Sequence, residues 1–139
     1  MREREVTRTL AEQLRAEGLL NLQVRYRNER GPDIEGTLPR SGRILYVEAK
    51  GERTNVSERV IMGEALLQIL SHYDRDVVCA LAVPYTSGFE SVLRNILPGL
   101  RRLGLHVLLV SEGEVWYLGP QAAGFFPERP ARLVEVLDR

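Results

Sequence analysis

Lysine is almost absent from this chain: of its 19 basic residues 18 are arginine, and the single lysine is Lys50. Cysteine is as scarce. The lone Cys79 sits in an apolar run, which excludes a disulfide framework or a zinc cluster and reads as a buried thiol rather than a nucleophile. No apolar run approaches the roughly 20 residues that cross a bilayer, and the charged start MREREV is unlike a signal peptide, so a cytoplasmic location is expected. Neither sign of charge is in excess, because 19 basic residues face 19 acidic ones. That excludes a protein that coats nucleic acid by bulk electrostatics, and any such contact has to be local. Helix-turn-helix and zinc-finger patterns, rows of aromatics for stacking bases, repeats and low-complexity tails are all missing. What is left, 139 residues with 44% hydrophobic and 27% charged, is one globular domain large enough to bury a core.

The informative stretch is residues 31–52, GPDIEGTLPRSGRILYVEAKGE. Runs of strand character at 34–38 and 43–49 flank Pro39-Arg40-Ser41-Gly42, a loop of turn formers. If Leu38 pairs with Arg43, paired positions sum to 81 and Asp33 falls opposite Glu48. Cross-strand neighbours have Cβ atoms about 5 Å apart, where two like charges destabilise a sheet, so the pair calls for a cation. Alternation puts Lys50 on the face of Glu48, with Val47 and Ala49 on the other. Two carboxylates and an ammonium therefore meet at one spot. Carboxylate oxygens suit Mg²⁺ (or Mn²⁺), which keeps several waters and takes one or two carboxylates. Such an ion polarises a phosphate oxygen and acidifies a water, while Lys50 either orients or deprotonates that water or stabilises charge growing on the phosphate. Composition points the same way. Arginine supplies positive charge everywhere else, and only lysine is a compact ammonium able to lose its proton.

At Pro32-Asp33 and Glu48-Ala49-Lys50 the chain resembles the PD-(D/E)xK nuclease superfamily. The resemblance implies Asp33 and Glu48 as metal ligands, the Ala49 carbonyl as a third, and Lys50 as the catalytic lysine. Glu3-Arg4-Glu5-Val6 is similar to the start of archaeal Holliday junction resolvases, whose first Glu completes the active site, which implies a catalytic role for Glu3. Several branches of the superfamily carry a Gln beside the lysine, a place that Gln68 matches.

The rest of the chain reads as follows. Residues 2–17 form an amphipathic helix with Val6, Leu10 and Leu14 on its buried stripe and Gly18 as its stop. Glu3 continues that stripe, either as a frayed end in water or as an acid in need of a partner; Glu5 and Glu12 face solvent. A half-buried strand is expected at 22–27. A second helix covers 57–73 with Ser57 as N-cap and a wide apolar side of Val60, Ile61, Leu66, Leu67, Ile69 and Leu70. Glu64, Gln68 and His72 stand four apart on one line, a solvated stripe in the plainest reading. A doubly buried strand at 77–83 leads to a third helix, with Ser87 and Glu90 as capping box and Pro98 as a kink or break. Strands at 105–110 and 115–118 join through Glu112-Gly113, and a loop at 119–130 precedes a short helix at 131–137. Phe125 and Phe126 in that loop read as a hydrophobic clasp, on this chain or a second subunit.

The order α, three β, α, β, α, β, β, α is α/β. By resemblance it is a restriction endonuclease-like αβββαβ core at about 1–85, a mixed central sheet flanked by helices, with an extension at 86–139. The function so implied is a Mg²⁺-dependent endonuclease on DNA. The alternative is a catalytically silent binding or regulatory subunit of the same fold. Arg25, Arg27, Arg30, Arg40 and Arg43 are expected to gather beside the proposed site and are candidates for phosphate contacts. A homodimer is expected, because cutting two strands needs two sites. Its apolar surface would come from Phe125, Phe126 or the 115–118 edge strand.

Overall fold

A computed structural model describes residues 1–26 and 31–139. It is a mixed α/β fold in which one six-stranded sheet, in the order β1-β2-β3-β4-β5-β6, is flanked by helices on both faces. The elements are α1 (Glu3–Ala16), β1 (Leu20–Val24), β2 (Ile34–Thr37), β3 (Ile44–Ala49), α2 (Glu58–Ser71), β4 (Val77–Pro84), α3 (Ser87–Arg102), β5 (His106–Ser111), β6 (Glu114–Leu118) and α4 (Leu133–Leu137). Pairing is antiparallel from β1 to β3, parallel across β3, β4 and β5, and antiparallel again to β6. No helix among the described residues is long and apolar enough to cross a membrane.

Side-chain alternation along β3 and β4 divides the core in two. Leu45, Val47, Ala49, Ala80 and Ala82 pack beneath α1 and α4, while Cys79, Leu81 and Val83 pack beneath α2 and α3. β4 is buried on both faces because two helical layers cover it, as its unbroken apolar run anticipates. The stripe Val6, Leu10 and Leu14 is fully buried. Helix α1 ends where Gly18, at φ +94°, lets the Gly18 and Leu19 amides bond back to Arg15 and Leu14, a Schellman closure.

Several boundaries differ from the sequence reading. β1 starts two residues earlier, because a bulge with Asn21 at φ +53° lets Leu20 pair with Thr37. The N-cap of α3 is Thr86, whose hydroxyl accepts from the Phe89 amide, rather than Ser87. Pro98 neither splits nor ends α3. It lies on the exposed side, where the carbonyl left without a partner meets water, and Phe89, Leu93, Leu97 and Leu100 stay one buried stripe. Helix α4 begins at Leu133 rather than 131. Val60, Leu67 and Leu70, read as part of the apolar side of α2, are exposed. The edge of β6 is not free either, since the Tyr117 and Glu128 backbones exchange two hydrogen bonds at 2.7 and 2.9 Å.

Candidate active site

The β2–β3 hairpin has the pairing expected of it. Ile34 opposes Val47, Glu35 opposes Tyr46, and Leu38 donates to Arg43 O at 2.8 Å, every pair summing to 81. Asp33, one position before β2, therefore lies opposite Glu48. Its Oδ2 accepts from the Ala49 amide at 2.7 Å, and its carboxyl stands beside that of Glu48. Ala49 pairs with Ala82 of β4 while Lys50 N donates to Ala82 O. The N–H and carbonyl of Ala49 thus point away from β4, toward Asp33.

Two acids this close in a buried place cannot both stay ionised. Burial, and after it the Asp33 charge, pushes Glu48 up to about 8. Burial also raises Asp33, against the opposing pull of the Ala49 amide. Near neutral pH the pair therefore holds a proton. Lys50 stands on the same face, 12% exposed, with Nζ at 3.8 Å from Glu3 and 4.0 Å from Glu64. Glu3 reaches it because α1 begins directly over the end of β3. A Cβ on Gly51 would lie 2.0 Å from the Glu3 backbone nitrogen, so glycine is required at that crossing. Burial raises the Glu3 carboxyl and Lys50 works against it, while a hydrogen bond from Arg53, at 3.0 Å, holds Glu64 low.

From the other side α2 contributes one line of residues. Gln68 and His72 line a cleft of about 420 Å³ together with Glu3, Asp33, Glu48 and Lys50, while Glu64 stands outside it, 4.0 Å from Lys50 Nζ. His72 Nε2 lies 3.9 Å from Glu48 Oε1, and its ring meets Tyr46 edge-on at 5.5 Å. His72 is the residue that the plain reading of a solvated stripe missed. Its signal was the four-residue spacing from Gln68. Tyr26 and Ser71 also line the cleft.

The arginines divide. Arg25 is in the cleft wall but tied down, with Nη1 donating to Pro32 O and Glu35 and Nη2 to Gln23 at 2.7 Å. Arg40 and Arg43 do not gather beside the site. They lie at the turn end of the hairpin, five residues or about 16 Å from Asp33. There the Asp138 carboxylate accepts from the Arg40 and Ser41 amides at 2.6 and 3.0 Å, and the Arg40 guanidinium donates to Asp138 O. Arg27 and Arg30 lie outside the described residues.

Among the described residues no group of three or more His, Cys, Asp or Glu side chains is arranged to hold a metal ion. Asp33 and Glu48 supply two oxygen donors that repel each other when ionised, a set that fits an ion content with two carboxylates and its own waters. Zinc-type chemistry, which wants three or four nitrogen and sulfur donors, does not fit.

No family model matches the sequence, and no curated protein matches it. Among solved structures the chain is similar to the YaeQ protein from Xanthomonas axonopodis pv. citri, at 15% identity over 86% of this chain and 74% of that one, with a TM-score of 0.42.

Proposed function

We propose that this chain is a Mg²⁺-dependent nuclease of the PD-(D/E)xK kind, with a restriction endonuclease-like arrangement, that cuts phosphodiester bonds, with DNA as the substrate. One observation carries the reading: the hairpin register sets Asp33 opposite Glu48 in a cleft that also holds the only lysine of the chain. Buried carboxyls set side by side cost stability, and that cost is explained if a cation comes between them. When bound, the ion supplies Lewis-acid polarisation of a phosphate oxygen and a more acidic water. Asp33 and Glu48 would hold it, with Asp33 fixed by the Ala49 amide. The Lys50 ammonium, held between Glu3 and Glu64, donates to the water or to the phosphate oxygens that gain charge. Gln68 on α2 lines the same cleft, where its amide would hydrogen-bond a water or a phosphate oxygen, and Arg25 in the cleft wall adds positive charge toward the strand. Glu3 keeps Lys50 in place rather than binding the ion.

The test is cleavage of labelled duplex, branched and single-stranded DNA with Mg²⁺ or Mn²⁺, wild type against Asp33→Asn. Metal-dependent cleavage by the wild type alone supports the reading. Ion binding without cleavage of any substrate would leave the silent binding subunit instead.

A further inference from the structure

Helix α2 is apolar on two sides, and only one is covered. Ile61, Met62, Ala65 and Ile69 are buried. On the opposite side Val60 is 54% exposed, Leu67 75% and Leu70 46%. These follow at intervals of seven and three with Gly63 in the gap, the a/d spacing of a helix-pairing seam. Beside the seam Tyr73 is exposed and donates to Leu103 O at 2.5 Å, so the patch runs on to exposed Leu103 at the end of α3. Of the eight large hydrophobics exposed among the described residues, five lie in this patch. Single exposed apolar residues are ordinary, whereas a contiguous group marks a contact surface.

Gly63 is the second observation. Glycine is a poor helix former beside alanine, and a Cβ at Gly63 would meet nothing within 4 Å. Nothing within one copy demands glycine there. The gap it leaves in the seam is open to a side chain from outside.

We propose that α2 is the surface on which two copies of this chain pair, helix antiparallel to helix about a two-fold axis. With Gly63 facing Leu67 of the second copy, Val60 faces its Leu70, and the axis repeats both contacts. The most exposed leucine thereby fills the gap left by the smallest residue. On one flank the exposed Arg59 meets Tyr73 and Asp74 of the second copy, an aromatic ring and an opposite charge. On the other flank Glu64 approaches its own copy, with its charge already opposed by Arg53 and Lys50. The surfaces expected from sequence fit less well, since β6 is bridged to Glu128 and Phe125 lies under the Arg94 guanidinium at 4.5 Å. Glu64, Gln68 and His72 occupy the neighbouring face of α2, so pairing sets both clefts on one side of the dimer. The pairing does not depend on the chemistry proposed for the cleft.

Sedimentation equilibrium between about 1 and 100 μM tests it. The wild type is expected as a dimer, and Leu67→Lys, whose fold is checked by circular dichroism, weakens association at least about 100-fold. Gly63→Ala is expected to weaken association about tenfold or more while raising the melting temperature of the separated copy. Phe126→Lys leaves the dimer unchanged. A monomeric wild type, a Leu67→Lys or Gly63→Ala variant that associates like wild type, or dissociation by Phe126→Lys would each overturn the assignment.

Discussion

Replacing Glu48 by Gln should make the metal-free protein more stable at pH 8 and leave it unchanged near pH 4.5. The Glu48 carboxyl is 5% exposed and titrates near 8 in the folded chain, against 4.5 for the free group. Between those values the unfolded chain has lost a proton that the folded chain keeps. Stability from this group is therefore complete below pH 4.5 and falls as pH rises, by about 1.4 kcal/mol per unit. The loss reaches about 4 kcal/mol at pH 8, a large part of the stability of a domain this size. Glutamine imitates the protonated acid at every pH and escapes the loss. His106, buried and pushed down to about 4, titrates alike in both proteins and cancels from the difference. Urea unfolding in EDTA, at half-unit steps from pH 4.5 to 8.5, gives the comparison. Adding Mg²⁺ at pH 8 should then close more than half of the gap. At a hundred times its Kd an ion that binds only the folded state contributes about 2.7 kcal/mol, and only the wild type has the second carboxylate to hold it. Parallel profiles in EDTA would refute the shared proton. Equal stabilisation of both proteins by Mg²⁺ would place the ion elsewhere.

Lys50→Arg should lower cleavage by about 10² or more while the Mg²⁺-induced shift in melting temperature survives, because guanidinium keeps the charge but neither fits the space nor gives up its proton. Cleavage at the wild-type rate would make the single lysine an accident of composition. Gly51→Ala should cost more than about 2 kcal/mol in chemical unfolding, since its Cβ would lie 2.0 Å from the Glu3 nitrogen and both partners are backbone; a neutral result would mean that α1 moves freely over β3. Cys79, buried and with its thiol pushed up to about 11, should react with an aromatic disulfide at pH 8 only as fast as the protein unfolds. Rapid modification of the native protein would contradict its place beneath α2 and α3.

The hairpin was legible because its information is local. Turn formers at 39–42 between two runs of strand character leave one register, and that register alone brings Asp33 to Glu48. The stop at Gly18 was legible for the same reason. Long-range partners were not. Nothing near Arg40 announces Asp138, 98 residues away, so a guanidinium engaged at the turn looked free for phosphate. Helix α2 is apolar on two sides, and such a pattern does not say which of them the sheet takes. Thr86 and Ser87 are adjacent hydroxyl residues, either able to cap a helix, and only the backbone geometry at Thr86 decides between them. His72 was underrated because its value lies in facing Glu48, a strand residue 24 positions earlier whose side chain had to be placed first.

The clasp between Asp138 and the hairpin turn bears on when the cleft becomes rigid. During synthesis the hairpin leaves the ribosome early, with Asp33 and Glu48 already in register but the amides of Arg40 and Ser41 still bonded to water. Their carboxylate arrives only with α4, after β4, α3, β5 and β6 have been laid down beside it. Closing so long a loop is slow compared with forming the hairpin itself. A nascent chain halted before α4 would therefore carry both acids on a hairpin held by its ladder alone.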